Sequence, residues 1–153
     1  MAEIDPGIRK LRATAPAARV NSGRPAMAER RLFQCVVATC CIVPIAGGAY
    51  GMLRGLPVLG IPGASGGADS HFRYLSGLLL GIGLGFLTTV PRIETQGGRF
   101  RLLAAIVVIG GLGRLLSVIV GGVADGVTLF ALGMELVVTP ALALWQWRIG
   151  SKT

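Results

Sequence analysis

Acidic residues and histidine are scarce in this chain: seven Asp plus Glu and one His in 153 residues, against fifteen Lys plus Arg. With His71 as the only imidazole, a bis-histidine haem within one chain is excluded, and neither a metal nor a cofactor is expected. Cysteine is limited to Cys35, Cys40 and Cys41, all on one apolar run. A bridge between neighbours Cys40 and Cys41 would be strained and no second cluster offers a partner, so all three read as small packing residues. Charge is sparse as well, at 14% of residues, while 52% are hydrophobic and the mean hydropathy is +0.68. That composition excludes an ordinary soluble domain of this size.

What remains is four long apolar runs, about 32–53, 74–90, 102–120 and 127–147, each of the length that crosses a bilayer as a helix. The sequence predicts an all-α, four-helix transmembrane bundle over 32–149. With the N-terminus inside, twelve basic residues fall on the cytoplasmic side, whereas Arg54 and Arg73 alone fall outside. This positive-inside bias predicts both termini in the cytoplasm. Trp145 and Trp147 then mark the inner interface, and Tyr50 and Tyr74 the outer one. The net charge of +8 is explained by topology: basic residues neither interleave with aromatics nor form a domain, so no nucleic-acid partner is expected.

Residues 1–31 are rich in Ala, Pro and Arg without apolar period and read as a disordered cytoplasmic tail, with Met27 as an alternative start to Met1. Arg30-Arg31-Leu32-Phe33 resembles the core of a twin-arginine export signal. The run behind it is too long for a signal h-region, so a signal anchor is the better reading. Arg54 to Ser70 should form an irregular outer loop, with Leu56–Ile61 dipping into the interface and Asp69 and Ser70 as N-caps of the second helix. Pro44 and Pro140 fall inside spans and should kink them.

Glycine spacing predicts packing faces. Gly77, Gly81 and Gly85 recur every four residues on the second span, and Gly47 and Gly51 repeat the interval on the first. Small residues at that interval let another backbone approach, either a helix of this chain or a second copy. On this reading Gly81→Leu is disruptive and Gly83→Leu milder.

Two charges interrupt the third and fourth runs. Arg114 and Glu135 are mirror-placed about the turn 121–126, which puts them at one depth, roughly 9 and 12 Å from it at about 1.5 Å per residue. A lone charge there costs about 2.5–3.5 kcal/mol on insertion scales, so the two should form a salt bridge. Ser117 lies near Arg114, while Asp69, His71 and Arg73 open the second span at the same outer side. One reading makes these six a vestibule in which Arg114 clamps an anionic or lipid headgroup and Glu135 orients it. The other makes Arg114 and Glu135 a structural pin, with Asp69 and Arg73 as interfacial anchors. Asp69-Ser70-His71 are residue types of nucleophilic catalysis, but consecutive placement at a helix start is explained by capping. The inner half lacks an acid, histidine or lysine to continue a proton relay. An enzyme is not expected.

His71-Phe-Arg-Tyr-Leu-Ser-Gly with the glycine-rich run to Phe86, Gly110-Gly-Leu-Gly-Arg-Leu-Leu-Ser117, and Glu135 followed by Pro140 resemble the bacterial family known as domain of unknown function 4345. The resemblance covers about 35–150 and implies a small four-helix protein of the bacterial inner membrane; it adds no chemistry. Partners expected are the lipid bilayer and either a membrane protein or a second copy. Function narrows to two classes, a structural or accessory subunit, or a small binder of an anionic or lipid ligand.

The charge bias yields a topology prediction. In a cysteine-free background, a cysteine at Ser65 should react with an impermeant maleimide added outside intact cells; labelling only after permeabilisation would reverse the orientation.

Overall fold

The computed structural model describes residues 23–61, 65–122 and 124–151. Four helices carry the chain: α1 (Gly23–Arg54), α2 (Gly66–Thr89), α3 (Gly97–Gly121) and α4 (Gly126–Gly150). All four are long and apolar enough to cross a membrane, and among the described residues there is no strand. The fold is an all-α four-helix bundle.

α1 is 32 residues long, about 48 Å at 1.5 Å per residue, which exceeds a hydrocarbon core of about 30 Å. Its first turns correct the expectation of a disordered tail as far as 23–31 are concerned; residues 1–22 lie outside the described residues. The physical cause is a set of polar contacts that apolar periodicity does not register. Arg30 Nη2 pairs with Glu94 Oε1 at 3.0 Å and also donates to the Pro91 carbonyl at 3.2 Å. Trp145 Nε1 donates to Glu29 Oε1 at 3.4 Å.

The α1–α2 hairpin has the most extensive contact in the molecule, and each helix caps the other's end. Gln34 on α1 donates to the Val90 carbonyl at 2.7 Å, just past the end of α2. On α2, Arg73 Nη1 donates to the carbonyls of Met52 and Leu53, both at 2.9 Å, in the last turn of α1. A helix end leaves four carbonyls without an intrahelical donor, and these side chains supply donors that water could not supply if the ends lie in a bilayer. Asp69 completes the clamp: Oδ2 takes Arg73 Nε at 2.6 Å and Oδ1 accepts the Leu56 N–H at 2.8 Å. Asp69 and Ser70 are therefore not N-caps. α2 begins eight residues before the expected Tyr74, with Ser65 as N-cap accepting the Ala68 N–H at 3.4 Å. Gly55 makes the clamp fit, since its φ is +70° and a β-carbon would overlap the Asp69 carboxylate and the Arg73 guanidinium.

The expected glycine faces divide within the chain. A β-carbon at Gly81 or Gly47 would meet nothing within 4 Å, and one at Gly77 only Met52 Sδ at 3.6 Å. The close approach uses Gly48, where a β-carbon would sit 2.5 Å from the Leu80 nitrogen, and Gly83, 2.8 Å from Ile45 Cγ1 and 3.2 Å from Pro44 Cγ. Gly51 belongs to the same seam, facing Ser76, and Gly85 instead faces Leu103 of α3. Four-residue spacing identifies a shared face; it cannot say which face turns inward when all faces are apolar.

The buried core lies at the end that holds the first turns of α1 and the last turns of α4. Phe33, Val37 and Cys41 of α1 meet Ile93, Phe100 of α3 and Ile149 of α4. Phe33 packs on Phe100 and edge-on to Trp145, with ring centroids 5.9 and 5.0 Å apart. At the opposite end α3 and α4 are joined by a short turn, in which Gly122 adopts φ +66° and donates to the Val118 carbonyl at 2.9 Å. Asp125 caps α4 by accepting the Thr128 N–H at 2.6 Å, which holds its carboxyl below the usual carboxylate range.

The seam predicts the reverse of the sequence-based order. Gly83→Leu should lower the thermal stability of the detergent-solubilised protein by about 1–3 kcal/mol, the usual cost of overpacking, whereas Gly81→Leu should leave the monomer's melting temperature nearly unchanged.

Candidate functional site

Thr139 and Pro140 set the geometry of the site from below. Proline has no N–H and its ring collides with the carbonyl four residues back, so a regular helix cannot run through residue 140. α4 responds by widening over Met134–Val138 into one π-helical turn, in which the Thr139 N–H and its hydroxyl, the latter at 2.8 Å, both donate to the Met134 carbonyl. Glu135 lies within that wide turn.

From above, Gly111 lets α3 come close enough to use it. A β-carbon at Gly111 would stand 2.8 Å from Glu135 Cβ and 2.8 Å from Leu136 Cδ2, so the α4 side chains occupy the space that glycine leaves. Arg114, one helical turn further on the same face, then reaches Glu135 with two parallel hydrogen bonds: Nε to Oε2 and Nη2 to Oε1, both 3.0 Å. This is the side-on bidentate geometry in which guanidinium and carboxylate match best. It engages two of about five guanidinium N–H donors, leaving three directed elsewhere. The Glu135 side chain is 18% exposed and that of Arg114 43%. The role of Gly111 was not anticipated from sequence, although the Gly110-Gly111 pair stands one turn before a charged residue; Pro140 announced a distortion of this span but not its form as a wide turn.

The pair sits on the wall of a partly open cavity of about 220 Å³. All four helices contribute: Val43 and Pro44 from α1, Leu79, Ile82 and Phe86 from α2, Val107 from α3, and Val127, Phe130, Ala131, Met134 and Thr139 from α4. Apart from the ion pair and the Thr139 hydroxyl, which is already bonded to Met134, the wall is apolar. The chamber exists because α2 and α3 touch little while each hairpin is closed within itself.

The six residues expected to share a vestibule divide. Arg114 and Glu135 line the cavity; Asp69 and Arg73 are engaged with the last turn of α1; His71 and Ser117 are exposed and line no part of it. Among the described residues no group of three His, Cys, Asp or Glu has the arrangement to hold a metal ion.

The sequence model of a family described as a domain of unknown function (DUF4345) matches residues 32–146. The chain belongs to that family. No curated protein and no solved structure matches it. The DUF4345 match contains every cavity-lining residue and both cross-caps of the α1–α2 hairpin apart from the Arg30 contact. Glu29, Arg30 and the last turn of α4 lie outside it.

Removing one member of a desolvated ion pair leaves the other unpaired, typically costing about 3–5 kcal/mol, while removing both costs much less. Arg114→Leu and Glu135→Leu should each depress yield and melting temperature, with partial recovery in the double variant. Strictly additive losses in the double-mutant cycle would show that the contact carries no coupling energy. Gly111→Leu should weaken the pair although it touches neither charge.

Proposed function

We propose that this DUF4345 protein is a multi-pass membrane protein that holds a small amphiphile in the cleft between its two hairpins. The observation that carries the reading is the cavity itself, an apolar chamber with one ion pair that still has guanidinium donors to offer. At about 220 Å³ it falls just below the roughly 300–1,000 Å³ of ordinary ligand sites, so the occupant is a single chain rather than a whole phospholipid. Its head group follows from charge. Arg114 and Glu135 already neutralise one another, so a bound anion would leave a net charge in low dielectric, which is expensive. An uncharged carbonyl or hydroxyl head accepting from Arg114 avoids that cost and is preferred over the anionic ligand that arginine alone suggests. A role in binding or carriage fits better than catalysis, since nothing else on the wall can serve as nucleophile or relay. The positive-inside bias supports placing both termini in the cytoplasm, and the bacterial inner membrane is the setting we infer. A second reading, a subunit packing against another membrane protein or a second copy, draws on the open space beside Gly47 and Gly81.

The test uses the purified full chain in detergent with monododecanoylglycerol and dodecyl phosphate as probes. The neutral monoacylglycerol should raise the melting temperature in a dose-dependent manner, toward about 2.7 kcal/mol at a hundredfold excess over Kd, and dodecyl phosphate should do less. Ala131→Phe narrows the cavity while keeping both charged side chains and should abolish the shift. Equal shifts in the variant and the parent, or no shift with either probe, overturn the binding reading and leave the packing role.

A further inference from the structure

A second recess, this one polar, lies at the opposite end of the bundle, beside the core and the last turn of α4. It measures about 290 Å³ and is lined by Glu94, Gly97, Gly98, Arg101, Gln146 and Trp147 among others. Three observations there are independent of one another. First, the N-terminus of α3 is open: Gln96 occupies the N-cap position but no side chain caps the helix, so the first-turn N–H groups at Gly97 and Gly98 have no intrahelical acceptor. Second, Gln146 is 1% exposed, and its amide oxygen has no partner although its Nε2 donates to the Ile93 carbonyl at 2.9 Å. Third, Glu94 Oε1 is satisfied by Arg30 while the other oxygen, Oε2, is buried without a partner. Buried acceptors in a folded chain are normally bonded, and two beside one recess point to a donor that belongs there.

The recess therefore offers opposite chemistries side by side. Uncapped N–H groups, the positive end of the α3 dipole and the exposed Arg101, which makes no ion pair among the described residues, suit a phosphate. The Glu94 carboxylate and the Gln146 amide oxygen suit an N–H-bearing cation. Glycine at 97 brings the two halves together, since a β-carbon there would lie 2.8 Å from Gln146 Nε2 and 3.1 Å from its Oε1. Trp147 beside them is of the type that settles at headgroup level. We propose that this recess binds a phosphoethanolamine group, with phosphate on the α3 N-terminus and Arg101, and ammonium on Glu94 and Gln146. Glu94 and Gln146 both line the recess, so a bound ammonium would supply the donor that Glu94 Oε2 and the Gln146 amide oxygen lack. The group has two sources, the headgroup of phosphatidylethanolamine in the leaflet at this end or the free soluble compound.

The full-length protein, delipidated in detergent, is titrated with phosphatidylethanolamine, phosphatidylcholine, phosphatidylglycerol and soluble phosphoethanolamine, and bound lipid is read by native mass spectrometry alongside the melting temperature. Phosphatidylethanolamine should be retained and stabilising, phosphatidylcholine should not be because its ammonium has no N–H, and phosphatidylglycerol should not be because it has no cation. Arg101→Gln, at an exposed position, should weaken retention roughly tenfold, the loss of about one charge-assisted hydrogen bond. Stabilisation by soluble phosphoethanolamine with no lipid retained keeps the site and assigns the soluble source. Equal retention of phosphatidylcholine or phosphatidylglycerol, or full retention by Arg101→Gln, overturns the proposal.

Discussion

Helices of this length and hydropathy are of the kind that crosses a bilayer, a medium that cannot hydrogen-bond, and the side chains at the helix ends are placed as that constraint would require. Arg73 turns to the last carbonyls of α1, Gln34 and Arg30 reach the end of α2, and the Thr139 hydroxyl joins its own N–H on the Met134 carbonyl in the wide turn before Pro140. The contacts at the helix ends join carbonyls that the helices leave without an intrahelical donor to side chains able to satisfy them. The result is a tightly tied α1–α2 hairpin, onto which α3 and α4 close mainly through the aromatic cluster around Phe33 and Phe100.

Because that cluster sits at one end only, the bundle is a base with an open far end. The base is where side chains interlock: Phe86, Phe100, Phe33 and Trp145 form a chain of edge-on and tilted rings from α2 through α3 and α1 to α4. Beyond it, Gly111 draws α4 onto α3 while nothing comparable draws α3 onto α2. A chamber between the hairpins follows from that asymmetry, and the ion pair is placed on its wall by the same glycine that closes the α3–α4 hairpin.

Hairpin arithmetic made the Arg114–Glu135 distance legible, because helical rise and a short turn fix depth without knowledge of packing. Facing was not legible. The Gly77, Gly81 and Gly85 stripe is real as a pattern, yet the seam runs through Gly48 and Gly83, since an apolar residue on a membrane helix carries no mark of inside or outside. Asp69 was misread for a related reason: capping residues are recognised by local spacing, whereas its partners are the Leu56 N–H, across a loop, and Arg73, one turn on. The polar base of Glu29, Arg30, Glu94 and Gln146 was hidden because its members are dispersed along the chain and each looks like an ordinary flanking charge or amide.

An ion pair is an uneconomical way to hold two membrane helices. Hydrophobic side chains of similar volume at 114 and 135 would pack α3 against α4 without desolvating a guanidinium and a carboxylate, and such replacements elsewhere are neutral or stabilising by about 1–4 kcal/mol. Gly111 already supplies the close contact between these helices, with Leu136 filling the space beside it. The charges are thus surplus to packing, and they lie on the otherwise apolar wall of the chamber where the two hairpins stand apart. A neutral pair with spare donors can bond a polar head without admitting net charge, and the chamber beside it can take the chain attached to that head. On the binding role proposed above, structure at this end of the bundle follows the needs of an occupant more closely than the needs of the fold.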